Sequence, residues 1–393
     1  MYLTKEEEKI LSGEKGEMLA RFMKLLVKIG ERFKAEKLIP ITSVQIAGIS
    51  YKNIGDPGLE FLEEIAKENV KTKVVSFMNP AGMDFELWEE LEISKEFAEK
   101  QFRIIKALKK LGVIASATCT PYLAGMLPRF KEHIAWSESS AVIFANSVLG
   151  ARTNREGAFT ALASALIGKT PYYGLHLEEN RKANFKVKVE CKISNEAEFS
   201  ALAYFVCKYF KKGIPLFSGI NASVDELKLL GASLASYGAF ALYHVENITP
   251  EAYMQDEIED KINVCENDLK YAKKEMENEI QPEIIALGCP HASIKEIKQI
   301  LSLIKNKKLK IPVWIFTSRI VKKLVEESLE NEILEKNNIK ILADTCPVVM
   351  PLKEIGIKSV ATNSGKMRFY LLNQGIKVYF DNINKIFEKF SER

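Results

Sequence analysis

Three apolar runs in this chain stop at a cysteine backed by proline: VIASATC before Thr120-Pro121, EIIALGC before Pro290, and IKILADTC before Pro347. Short apolar runs set between helical stretches read as buried strands of parallel sheets. A proline after such a strand has no N–H and turns the chain out of the ladder, leaving the preceding side chain to face what lies beyond the sheet. Parallel sheets carry their functional loops at the carboxyl ends of the strands. Cys119, Cys289 and Cys346 therefore stand where ligands gather.

The expected fold class is α/β, with mainly parallel sheets flanked by helices, in several domains. A chain of 393 residues, 47% hydrophobic, exceeds what one core supports. In the first domain, 1–184, a capping box at Thr4 opens a helix, and helices follow over 14–34, from Asp56-Pro57, and over 96–111, 139–149 and 159–167. Strands are expected over 39–46, 70–77 and 113–118. A composition shift near Asn184 opens a second domain, 185–280, beginning with an alternating strand over 185–193. Its last piece, 258–276, reads as one charged helix with an apolar stripe at Ile258, Ile262, Cys265, Leu269, Ala272 and Met276. The third domain, 281–393, has strands over 283–288, 311–317, 339–344 and 359–362.

Charge excludes some functions. The formal +4 arises from 56 basic and 52 acidic residues with no basic block, which argues against nucleic acid as a partner. No apolar run approaches the roughly 20 residues that span a bilayer, and the N-terminal MYLTKEEEKIL is charged. A soluble, cytoplasmic protein without a membrane partner is expected.

Six cysteines in so long a chain suggest reduced thiols, either buried or ligating. Cys191 lies in an alternating strand, Cys207 in an apolar helix and Cys265 on the helical stripe, and all three read as core. For the other three, context alone leaves ligand and coincidence both open. Three separated thiolates suit an iron–sulfur cluster with one open iron better than a four-cysteine electron-transfer cluster. No C-x-x-C pair supports a zinc ribbon, and the three-cysteine motif of radical S-adenosylmethionine enzymes is missing. A cysteine nucleophile served by His133 or His291 is an alternative.

Several polar loops carry double meanings. Gly48-Ile49-Ser50 and Asn79-Pro80-Ala81-Gly82 follow strands, where small residues admit a ligand or merely make a turn. Glu138 and Ser139 mark a helix start, which favours anions, though Glu138 suits a helix cap equally. Arg152 and Arg155 fit carboxylate or phosphate clamps, or ordinary surface. Asn363-Ser364-Gly365-Lys366 sits between a strand and a helix and suits an anion, without the P-loop spacing. No GxGxxG segment supports a dinucleotide.

The segments SVQIAGISYKNIGDPGLEF, NPAGMD, ATCTPY, EHIAWSESSAVIFANSVLGARTNREG, GCPHAS, DTCP and NSGK together resemble the aconitase X family, over about residues 43–366. The resemblance implies an aconitase-like arrangement around an iron–sulfur site and a hydro-lyase with a [4Fe-4S] cluster, one iron open. It places the cluster ligands on Cys119, Cys289 and Cys346, and substrate contacts on Gly48, Ile49, Ser50, Asn79, Pro80, Glu138, Ser139 and Lys366. Ile49 stands where relatives commonly have valine, a harmless change for a backbone contact. The nearest branch dehydrates (R)-5-phosphomevalonate to trans-anhydromevalonate 5-phosphate for isoprenoid synthesis, while another dehydrates cis-3-hydroxy-L-proline. The resemblance also implies a small swivelling subunit, a separate protein forming a heterodimer with this chain and supplying the base, a serine. A non-catalytic, cysteine-lined scaffold is the reading from a different class.

Overall fold

The computed structural model describes residues 1–255, 258–305, 307–327, 334 and 338–392. Three parallel sheets organise them, each wound alike: the first strand in sequence is interior, and later strands lie to both sides of it. In the first sheet Ser43–Ile46 lies between Val75–Met78 and Ala135–Trp136. In the second, Phe185–Val189 lies between Pro215–Ser218, which pairs onward with His244–Val245, and Lys261–Val264. In the third, Ile284–Leu287 has Val313–Phe316 and then Ile339–Leu342 on one side. Ser359–Thr362 and then Lys377–Phe380 lie on its other side. A short antiparallel pair, Leu38–Pro40 with Lys169–Pro171, accompanies the first sheet. The expected α/β class with mainly parallel sheets is the observed one.

Local chemistry accounts for the helices that cover these sheets. Ile294–Ile304 starts with a capping box from Ser293 and Glu296 and buries Ile297, Ile300, Leu301 and Ile304, the stripe of a 3.6-residue period. Each such side chain contributes roughly 1.5–3 kcal/mol before chain entropy is counted. Among the described residues no helix is long and apolar enough to cross a membrane.

The structure departs from the sequence reading in four places. The run 39–46 is two strands in different sheets, since the ladder is broken after Pro40. Of 113–118 only Ile114 bridges to Phe77, and Ala117, at φ 40°, turns the chain, so Cys119 follows a turn and not a strand. The helix expected from Asp56 begins earlier, at Tyr51, and kinks at Gly55 (φ 57°), after which Asp56-Pro57 start its second segment. The run 258–276 divides into the strand Lys261–Val264 and the helix Glu266–Met276, because β-branched Ile262 and Val264 alternate along an edge of the second sheet. Cys265 becomes the exposed N-cap of that helix, Cys191 is half-buried, and only Cys207 of the supposed core trio is fully buried.

Candidate active site

A sheet wound this way leaves a crevice at the carboxyl ends of its strands, where the winding reverses. The crevice of the first sheet is flanked by Gly48–Ser50 and Glu138, and that of the third by Cys289 and Asn363–Lys366. The two crevices face each other across direct bonds. Ala81 N–H donates to the Asp344 carbonyl at 2.7 Å, and Ser50 Oγ donates to the Val349 carbonyl at 2.9 Å. Gly288 is required at the head of the Cys289 loop. Its φ is +88°, and a Cβ there would lie 2.1 Å from the Phe316 carbonyl oxygen.

At the centre Lys366 Nζ is paired with Glu138 Oε1 and donates to Ser140 Oγ at 3.0 Å. Glu138 is also the N-cap of helix Ser139–Ser147, its Oε2 accepting from Ala141 N–H at 2.8 Å and Ser140 Oγ at 2.6 Å. The cap and the site are therefore one feature. Burial alone would push the Glu138 carboxyl up, but Lys366 and the cap donors outweigh it and hold it below its ordinary value. Burial likewise opposes the Lys366 charge, and Glu138, with the thiols of Cys289 and Cys119, raises it above the usual lysine value.

Around this pair lie the three proline-backed thiols, each buried and each within electrostatic reach of Lys366. His291 N–H donates to Cys119 Sγ at 3.2 Å, and Ser364 near Cys289 and the amides of Val348 and Val349 near Cys346 favour the thiolate form of those two. Burial pushes the Cys289 thiol up to about 12 and raises the other two. Left to themselves, these thiols are protonated; a cationic group among them converts them to ligating thiolates. Three buried sulfurs with N–H and O–H groups near them fit an iron–sulfur group. Among the described residues no three His, Cys, Asp or Glu side chains are disposed to hold a single metal ion.

The remaining residues expected to contact substrate gather at the same cleft. Ile49 and Ser50 are buried, and Gly48 (φ 69°) turns the chain before them. Asn79 is half-buried with Oδ1 buried and unpartnered, Pro80 is buried beside it, and Ser139 donates to Glu138 Oε1 at 3.3 Å. Sequence reasoning missed Gln101. Its Nε2 donates to the Ile49 carbonyl at 3.0 Å and its Oε1 accepts from Tyr51 and Gly82, both at 2.9 Å, so one side chain ties the Gly48–Ser50 loop to the loop over 79–82. The signal was present: Gln101 is a polar residue on the apolar stripe Ala98, Ile104, Ile105, Leu108. Asp84 was missed as well; it accepts from the Ala343 amide at 2.7 Å and from Arg319 at 2.9 Å, bracing the loop that leads to Cys346.

The other candidates are engaged in different ways. Arg152 is buried against Glu251 at 2.8 Å, beside Arg181, while Arg155 is exposed and donates to the Ala239 carbonyl. Arg152 is structural, its guanidinium held by Glu251, whereas Arg155 uses only Nη1 on Ala239 and stays exposed, next to Glu156, whose N–H donates to the Trp136 carbonyl. His133 bonds to His176, Nδ1 to Nδ1 at 3.0 Å. His291 has both ring nitrogens engaged, by Thr118 at 2.9 Å and the Thr345 carbonyl at 2.8 Å, so it presents no free base to a cysteine nucleophile.

Two α/β lobes facing each other across a thiol-lined cleft, with a third alongside, have the form of a multidomain enzyme. Family models described as the first, second and third domains of aconitase X match residues 1–179, 183–279 and 282–392. The chain belongs to the aconitase X family. It is 53% identical to the phosphomevalonate dehydratase large subunit of Methanocaldococcus jannaschii, over 94% of this chain and 95% of that one. The crystal structure of Thermococcus kodakaraensis aconitase X (holo-form) superposes with a TM-score of 0.93 at 44% identity, covering 99% of this chain and 100% of that one. A more distant relative, the cis-3-hydroxy-L-proline dehydratase of Hypocrea jecorina, is 30% identical over 94% of this chain and 65% of its own length.

Proposed function

We propose that this chain is the large subunit of a hydro-lyase that dehydrates (R)-5-phosphomevalonate to trans-anhydromevalonate 5-phosphate, a step toward isoprenoids, and that it works with a separate small subunit. The observation that carries the chemistry is the convergence of three buried thiols on the Lys366–Glu138 pair. The substrate assignment follows the relative at 53% identity. Cys119, Cys289 and Cys346 would hold an iron–sulfur group, a [4Fe-4S] cluster with one open iron, which when bound would supply a Lewis acid for the departing hydroxyl.

The chain's own residues bind and orient. Lys366 uses two ammonium donors on Glu138 and Ser140 and turns the third toward the substrate's anionic end. Gly48, Ile49 and Ser50, tied through Gln101 to the Asn79-Pro80 loop, form the opposite wall. Asn79 Oδ1, buried without a partner, accepts a substrate hydroxyl. Glu138 fills the helix start with its own carboxylate and serves the substrate by holding Lys366 in place, Ser139 lies beside it, and the surrounding burial excludes water. The proton alpha to the carboxylate leaves to a base on the small subunit, a serine in this reading. Anaerobic turnover of (R)-5-phosphomevalonate by the iron- and sulfide-reconstituted chain, with and without its small subunit, tests this. Product is expected from the pair only. An iron-loaded pair that ignores phosphomevalonate but dehydrates cis-3-hydroxy-L-proline overturns the substrate assignment.

A further inference from the structure

The three thiols come from loops far apart in sequence, and one side chain touches all three loops. His291 lies two residues beyond Cys289 in the same loop, and its backbone N–H donates to Cys119 Sγ at 3.2 Å. Its Nδ1 is 2.9 Å from Thr118 Oγ1, next to Cys119 and 173 residues away in sequence. Its Nε2 is 2.8 Å from the carbonyl of Thr345, next to Cys346 and 54 residues away. The ring is completely buried.

Donor and acceptor roles follow from the partners. A carbonyl only accepts, so Nε2 carries the proton and Nδ1 accepts from the Thr118 hydroxyl. Thr118 Oγ1 in turn accepts from Thr120 N–H at 3.1 Å, so the hydroxyl is held on both sides. From behind, Lys228 Nζ donates to the His291 carbonyl at 3.1 Å and fixes the backbone of the Cys289 loop. An imidazole presents a donor and an acceptor on a rigid ring, and so spans two loops at a fixed separation with little rotamer freedom.

We infer that His291 is the positioning residue of the thiol triad: it sets the spacing of the Cys119, Cys289 and Cys346 loops before any iron arrives. This rests on the reading of those cysteines as ligands. Preorganised ligands hold a metal group more tightly than ligands that must be gathered. Both ring nitrogens are engaged by the loops, so removal of the ring changes retention and spectrum of the bound group and not merely turnover.

The test compares the full chain carrying His291→Leu, His291→Gln or Thr118→Val with wild type after anaerobic loading with iron and sulfide. Iron per chain, the electron paramagnetic resonance spectrum and the rate of iron loss to a chelator are measured, with the melting of the metal-free chain as a control for folding. His291→Leu is expected to load incompletely or to lose iron at least about tenfold faster, with an altered spectrum. Thr118→Val, nearly isosteric, shows the same changes more weakly, and His291→Gln, which keeps a donor for Thr345, recovers part of the retention. A wild-type spectrum and loss rate in both His291→Leu and Thr118→Val overturns the inference. Should His291→Leu not fold, wild-type behaviour of Thr118→Val alone does so. A wild-type chain that takes up no iron and sulfide overturns the ligand reading itself, a result distinct from both.

Discussion

Lys366 and Glu138 are 228 residues apart in sequence, yet their side chains form a buried ion pair at the meeting point of the first and third sheets. The relative exposure of their side chains is 7% and 8%, so neither charge is relieved by water. Removing one partner leaves the other uncompensated. Lys366→Met is therefore expected to lower stability by about 3–5 kcal/mol, while Lys366→Met with Glu138→Gln costs distinctly less than the sum of the single changes. Denaturant unfolding of the two single variants and the double variant measures the coupling; additive losses would show that the pair is not coupled.

Gly288→Ala tests the backbone at the Cys289 loop. The added methyl would lie 2.1 Å from the Phe316 carbonyl oxygen at a φ of +88°, so the loop must shift. A loss of about 1–3 kcal/mol is expected, together with impaired iron uptake, because the displaced residue is a proposed ligand. A variant that melts and loads like wild type contradicts this account of the loop.

Acid sensitivity is expected from a cluster away from the cleft. Burial, aided by His133, Arg181 and Arg152, depresses His176 to about 3. An unfolded histidine binds its proton near pH 6.5, so between that pH and about 3 the unfolded chain holds a proton the folded chain refuses. The stability due to this group is complete above pH 6.5 and falls by up to about 1.4 kcal/mol per pH unit below it. His176→Gln should flatten the slope of unfolding free energy between pH 6.5 and 4.5; an unchanged slope places the sensitivity elsewhere.

Thiol accessibility separates the six cysteines in a second way. Cys265 is exposed and Cys191 half-buried, while the other four are buried. In the metal-free native chain an alkylating reagent is expected to modify Cys265 first, then Cys191, with Cys119, Cys289, Cys346 and Cys207 reacting only as the chain opens. Mass spectrometry of peptides over a time course gives the order, and early modification of Cys289 would contradict the closed cleft.

What was legible in the sequence had a local signature. Each cleft cysteine is next to or near a proline at the end of an apolar run, and Glu138 and Lys366 stand at helix starts, so few neighbours sufficed to single them out. What was not legible depends on partners remote in the chain. Arg152 resembles an anion clamp until Glu251 is seen beside it, and the tie of His291 to Thr345 has no trace in the residues around either. Cys265 was misplaced because Ile262 and Leu269 fit a helical period as well as Ile262 and Val264 fit an alternating one; pairing with Phe185–Val189 decided the matter. Gln101 lies between these cases, since a polar residue on an apolar stripe announces a buried hydrogen-bonding role without naming its partners.

The central claim is that three particular cysteines of the six hold an iron–sulfur group. Iron and sulfide per chain, measured after anaerobic reconstitution of the six single Cys→Ser variants, test it most directly. Wild-type content is expected in Cys191→Ser, Cys207→Ser and Cys265→Ser, with loss of both elements in Cys119→Ser, Cys289→Ser and Cys346→Ser. Wild-type iron and sulfide in any of the last three would contradict the account.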